Sequence, residues 1–163
     1  KANTLIAEAE LIFTLDFNAL HRTGAMEQPL SQAKATKILI DHHQQPDNYA
    51  KYIYSDVTIC STCQMVYHFF EMLDDKKSIN SKIATCLYVG IMTDTGSFRF
   101  SSTTATTHRV IADLIDKGAV NAEIHNQVYD NNSYDRLQLL GVALNNLKVV
   151  PDLNTAYIRT NRV

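Results

Sequence analysis

The stretch Lys37-Ile38-Leu39-Ile40-Asp41-His42-His43 decides how the rest of the chain is read. Three consecutive branched apolar residues, without the alternation of a half-solvated strand, predict a strand covered on both faces, as in parallel sheets. Asp41 stops the run. Upstream, Leu11-Ile12-Phe13-Thr14-Leu15 is another apolar run of strand length and stops at Asp16, so one pattern occurs twice: a buried strand with an acid at its end. Working outward, residues 1–10 have helical composition and residues 18–35 form a polar connection containing Gly and Pro. Tyr52-Ile53-Tyr54 is a short strand. Ser61 or Thr62 caps a helix carrying Met65, Val66, Phe69, Phe70, Met72 and Leu73 at helical spacing, ended by Asp74 and Asp75. Residues 81–93 form a largely apolar helix with Asp94 at its C-terminal end, and Ser97-Phe98-Arg99-Phe100 reads as a strand. A helix over 104–117 stops at Gly118, helices follow near 122–128 and 133–145, and strands at 147–150 and 155–158 close the chain. Strands alternating with helices predict an α/β fold, a mainly parallel sheet flanked by helices. In such sheets ligands sit at the carboxyl ends of the strands, where Asp16 and Asp41 fall.

The 163 residues suit one domain with a real core. Fifteen Lys and Arg against 17 Asp and Glu give a net charge of −2, so no global positive field gathers polyanions and any phosphate binding must be local. Apolar residues at 45% and charged residues at 20% exclude the disordered and collagen-like classes. No apolar stretch approaches the roughly 20 residues needed to cross a bilayer. Cys60, Cys63 and Cys86 cannot all pair within one molecule, and no basic-then-apolar leader opens the sequence, so a cytoplasmic location is expected.

Asp41-His42-His43 is the sharpest chemical feature. The strand end fixes the first residue, and the adjacent imidazoles then point in different directions, so one can ligate a metal while the other moves protons. Asp16 and Asp94 also end apolar elements, where an unpaired carboxylate is penalised by desolvation. At a helix C-terminus, Asp94 additionally opposes the macrodipole, and a cation would relieve both costs. Carboxylates with imidazole and no nearby thiolate suit Mn²⁺ or Mg²⁺ better than structural zinc.

Three blocks carry a resemblance: Thr14-Leu15-Asp16-Phe17-Asn18, Ile40-Asp41-His42-His43, and Gly90-Ile91-Met92-Thr93-Asp94-Thr95-Gly96-Ser97-Phe98-Arg99-Phe100. In wording, order and spacing the sequence resembles the DHH phosphoesterase family, and within it the branch of small bacterial oligoribonucleases that also dephosphorylate phosphoadenosine phosphate. The resemblance implies Asp16 as a carboxylate bridging two metal ions, with His42 and Asp94 as ligands of one of them. It implies Asp41 as the partner that fixes the His42 ring, and His43 beside the scissile phosphate as a hydrogen-bond or proton donor. The implied chemistry is attack on a phosphate ester by metal-activated water, with Mn²⁺ as the expected ion and Mg²⁺ as the alternative. Arg22, Arg99 and His108 are candidates for substrate phosphate contacts. The family's first metal-binding motif and its C-terminal substrate-binding domain have no counterpart in the sequence, so residues 1–163 are expected to be a partial DHH catalytic domain, truncated at both ends.

The expected substrates are short RNA oligonucleotides and small nucleotides, which need a pocket and not a long electrostatic track. A dinucleotide phosphodiesterase, linear or cyclic, is the alternative within the family. An inactive nucleotide-binding or assembly module is the alternative outside it. No membrane partner is expected, and a homodimer is left open. Cys60 and Cys63 have Cys-x-x-Cys spacing but no second pair, and are read as ordinary packing residues. His68 and His125 are read as structural or exposed.

Overall fold

The computed structural model describes residues 1–159, which divide into two compact units, Lys1–Asn121 and a second that starts at Ala122. The first unit is built on three parallel strands, β1 (Leu11–Leu15), β2 (Thr36–Asp41) and β3 (Tyr52–Ser55), in the order β1-β2-β3. Leu15 lies opposite Ile40, and Asp41 opposite Ser55. The three carboxyl ends therefore share one rim of the sheet. The backbone N–H of Asp16 donates to Ile40 O at 3.2 Å, so the ladder runs to the functional residues.

Helix α1 (Ala2–Glu8) precedes β1, and a 3₁₀ stretch (Leu20–Met26) and α2 (Glu27–Gln32) fill the connection to β2. Helix α3 (Thr62–Met72) starts at Ser61, whose hydroxyl accepts the Cys63 N–H, the cap that the sequence offered at Ser61 or Thr62. Helix α4 (Ser81–Asp94) is capped by Asn80 and buries Ala84, Leu87, Tyr88, Ile91 and Met92. Helix α5 (Ala105–Asp116) opens with a capping box between Thr104 and Thr107 and ends before Gly118 at φ 101°. The core is Leu39, Ile40, Met65, Ile91, Met92 and Leu114, all essentially inaccessible.

Two sequence expectations fail here. β1 is not a buried strand: Leu11, Phe13 and Leu15 are each more than 40% exposed, and only Thr14 is fully buried. As an edge strand of the described sheet, β1 has β2 on one side only, and Phe13 meets Phe69 of α3 edge-on at 5.9 Å. Nor is Ser97–Phe100 a strand. Gly96, Ser97 and Phe98 stand consecutively at φ 55°, 61° and 65°, and the N–H groups of Arg99 and Phe100 both return to Thr95 O. Hydrogen bonds spent inside the turn leave none for a ladder.

In the second unit, α6 (Asn121–His125, its first residue belonging to the first unit) runs into a π-helical turn, followed by α7 (Tyr134–Asn145). β4 (Leu147–Val150) and β5 (Thr155–Ile158) pair as an antiparallel hairpin around Pro151–Leu153, with Asn154 in the left-handed region closing the turn. Among the described residues, no helix is long and apolar enough to cross a membrane.

Candidate metal centre

Asp16 follows directly on β1 with φ 65°, a left-handed conformation that Asp tolerates better than most residues. Its carboxylate is 57% exposed and held from two sides: Thr62 donates its hydroxyl to Oδ1 at 2.9 Å, and His42 Nε2 stands 3.6 Å from the same oxygen. His42 Nδ1 is 3.3 Å from Ile59 O. A carbonyl only accepts, so Nδ1 carries the proton and Nε2 presents a lone pair to a carboxylate. Two electron-rich atoms facing each other at that distance call for a cation or a proton between them. The spacing exceeds a hydrogen bond and falls inside the roughly 3–4 Å open to two donors each about 2.1 Å from one ion.

Asp41 is the last residue of β2 and completely buried. Its Oδ1 takes His43 Nδ1–H at 2.7 Å and its Oδ2 the His43 backbone N–H at 3.1 Å. The expectation that Asp41 fixes the His42 ring is therefore wrong: it fixes His43. The strand ends at Asp41, and the chain beyond it brings the His43 ring back onto the Asp41 carboxylate while His42 reaches Asp16 and Ile59, the two rings meeting edge-on at 4.8 Å.

Asp16, His42 and His43 form the one group of three potential ligands that the described residues contain, with ligand atoms within 4.8 Å of one another. His43 stands in that group where the sequence reading had Asp94. Asp94, the exposed last residue of α4, lies close enough to raise the Cys63 thiol, as Asp16 also does. Burial is the largest cause, and together they push that thiol from 9.0 up to about 11. A sulfur does stand in this neighbourhood, then, but as a neutral thiol and not as a soft thiolate ligand.

Of the candidate phosphate contacts, Arg22 lies in the 3₁₀ stretch and donates to Asn18 Oδ1 at 3.2 Å. Arg99 Nε donates to Gly96 O at 2.7 Å, which ties its guanidinium to the turn after Asp94. His108 is exposed on α5, its ring 6.0 Å from that of Phe98. A cavity of about 270 Å³, lined by Ile59, Cys60, Gln64, His68, Thr104 and Thr107 among others, opens at the residue that anchors His42.

Sequence reasoning missed three braces. Thr62 was read only as a cap. Asn18 joins the loops that carry Asp16 and His43, donating Nδ2–H to Gln44 O at 2.6 Å while its own carbonyl accepts the Asp47 N–H at 2.8 Å. Tyr49 donates to Thr14 Oγ1 at 2.8 Å, and burial raises its phenol. Only Asn18 had a visible signal, its place in a matching block.

Residues 1–91 match the model of the DHH family, N-terminal domain. The chain is 32% identical over 126 residues to the bifunctional oligoribonuclease and PAP phosphatase NrnA of Bacillus subtilis (strain 168), covering 76% of this chain and 39% of that protein. It is 36% identical over 101 residues to the protein of the same name from Thermus thermophilus, covering 61% of this chain and 31% of that one. A crystal structure of an exopolyphosphatase-related protein from Bacteroides fragilis superposes with a TM-score of 0.92 at 37% identity, over 96% of this chain and 46% of that one. The chain thus spans less than half of the length of each of these relatives.

Proposed function

The chain belongs to the DHH family, and from that premise we propose that it is the catalytic region of a Mn²⁺-dependent phosphoesterase acting on short RNA oligonucleotides and phosphoadenosine phosphate. The observation that carries the reading is the convergence of Asp16, His42 and His43 at the carboxyl rim of the parallel strands. The names of the Bacillus and Thermus relatives support the substrate class.

The donor set fits a divalent ion: one carboxylate oxygen and imidazole nitrogen, half-sheltered, with no charged sulfur. Asp16 and His42 would hold it, with Asp94 completing the set. Such an ion supplies positive charge to a phosphoryl group and acidifies water. His43 does the proton work. The buried Asp41 carboxylate keeps the proton on Nδ1, so in the imidazolium form Nε2 can hand a second proton to a leaving oxygen, and Asp41 stabilises the charge that forms. Arg22 and Arg99 supply forked donors for substrate phosphates, and His108 a further one. Cytoplasmic location follows from the substrate class.

The test uses the protein as its gene encodes it, assayed for phosphate release from phosphoadenosine phosphate and for shortening of RNA oligonucleotides, with and without Mn²⁺. Turnover that survives chelation, or a strong preference for linear or cyclic dinucleotides, overturns the reading. Asp16→Asn keeps an acceptor for Thr62 and tolerates the left-handed backbone, so it is expected to melt like the parent without metal, yet to lose Mn²⁺ binding and turnover. His43→Ala is expected to retain Mn²⁺ and slow the chemical step by about 100-fold or more.

A further inference from the structure

Thr62 is the first residue of α3 and is 4% exposed, in a helix whose start is fixed by the fully buried Ser61. A β-branched side chain at a buried helix start has few rotamers available, so its hydroxyl is pre-set in direction. That hydroxyl donates to Asp16 Oδ1 at 2.9 Å. Asp16 has no comparable restraint of its own: its carboxylate is 57% exposed, and its neighbour His42 stands beyond hydrogen-bond length at 3.6 Å. Without Thr62, rotation about the Asp16 side-chain torsions would be limited mainly by solvent. A donated hydrogen bond at Oδ1 occupies one lone pair there, leaving Oδ2 and the remaining lone pair of Oδ1. The start of α3 also contributes the positive end of its peptide dipoles beside the carboxylate.

We infer that Thr62 is a positioning residue for the metal centre: its hydroxyl fixes the Asp16 carboxylate in the rotamer that holds a divalent cation together with His42. This rests on the reading of Asp16 as a metal ligand. The role is carried across a wide sequence gap, from the start of a helix to the end of a strand, and uses the hydroxyl rather than the bulk of the side chain. Thr62→Val keeps the shape and removes the donor, while Thr62→Ser keeps the donor and removes the methyl group.

The test is Mn²⁺ affinity of the protein as its gene encodes it, by electron paramagnetic resonance of the free ion and by the Mn²⁺ concentration giving half the maximal thermal shift. Thr62→Val is expected to weaken Mn²⁺ binding about 10-fold or more, the usual effect of removing a ligand's hydrogen-bond partner. Thr62→Ser should stay within about 3-fold of the parent by the same comparison. A merely structural role predicts a lower metal-free melting temperature with unchanged Mn²⁺ affinity in the folded fraction, and that result overturns the inference. Thr62→Ala carries the same expectation as Val and replaces it should Val fail to fold. Parent-like affinity in both donor-less variants refutes Thr62 alone. Absence of Mn²⁺ binding by the parent chain refutes the metal centre itself, and Thr62 with it.

Discussion

Replacing Gly90 by Ala should destabilise the protein, against the usual rule. In a helix interior Gly→Ala gains about 1 kcal/mol, because Gly has more backbone freedom to lose. Gly90 lies inside α4, yet a Cβ built there falls 2.1 Å from Cys63 Sγ and 2.9 Å from Cys63 Cβ on α3. Ordinary carbon contacts lie near 3.5–4.0 Å, so the sulfur overlap is roughly 1.5 Å. Cys63 can turn its sulfur away, but its Cβ is fixed to the α3 backbone, and that contact persists in every rotamer. The helices must therefore separate. Overpacking of this kind costs about 1–3 kcal/mol, and a clash with main-chain-fixed atoms belongs in the upper half of that range. Net of the helix gain, a loss of about 1–2 kcal/mol remains, or a fall of roughly 4–8 °C in melting temperature for a unit of this size. Metal-free circular-dichroism melts of Gly90→Ala, Cys63→Ala and the double variant measure it. Removing the sulfur relieves the shorter contact and leaves the longer one, so the double variant should recover about 1 kcal/mol relative to the sum of the singles. A Gly90→Ala protein that melts at or above the parent, or a double variant showing no coupling, would refute the reasoning. Thr62 precedes Cys63 and Asp94 ends α4, so the same separation should also weaken Mn²⁺ binding.

Stability should fall in alkali partly through Cys63. The folded state holds its thiol up to about 11 against an ordinary 9.0, so this contribution is intact below pH 9 and is lost as the pH climbs toward 11. Cys63→Ala should flatten the decline across that window, and equal slopes for parent and variant would count against the assignment. Thr95→Val removes an inaccessible hydroxyl that donates to Ile91 O at 2.6 Å and accepts the Phe98 N–H at 3.0 Å. Leaving that N–H without its acceptor should cost about 1–3 kcal/mol, visible as a lower melting temperature and faster amide exchange at Phe98. Unchanged exchange at Phe98 would show that the turn does not depend on Thr95.

What could be read in advance follows from how local the determining physics is. The ends of β4 and β5, the start of α5 near Thr104 and the Gly118 stop are set by residues within a turn of one another, and the sequence showed them, though not that Thr104 is the cap. The burial of β1 is set by which strands lie beside it, and an apolar run looks the same at an edge as at the centre. Ser97–Phe100 misled for a different reason: its apolar-polar alternation imitates a strand, while its conformation is set by the Thr95 side chain and carbonyl. At the site, residue types were legible but pairings were not. Asp16, His42 and His43 were identified as chemistry-bearing, yet the partner of Asp41 depended on the path of the chain over two residues beyond a strand end, and Thr62 on a contact bridging 46 positions.

The backbone itself marks the site. Six described non-glycine residues have positive φ, and four of them, Asp16, Gln45, Ser97 and Phe98, lie in or beside the three blocks that supply the chemistry. The other two, Asp74 and Asn154, follow a helix and close a hairpin, where short polar side chains in this region are ordinary. Gln, Ser and Phe are not such residues, and each costs of order 1 kcal/mol there. That cost is offset locally: Ser97 N–H reaches Met92 O at 2.8 Å, Asp16 N–H reaches Ile40 O, and Asn18 bonds Gln44 O beside Gln45. A chain selected for stability alone would place Gly or Asn at these positions. Retaining strained residues, with a brace beside each, keeps the carboxylate and imidazoles aimed at a common point before any ligand arrives, so that binding has less side-chain ordering left to do.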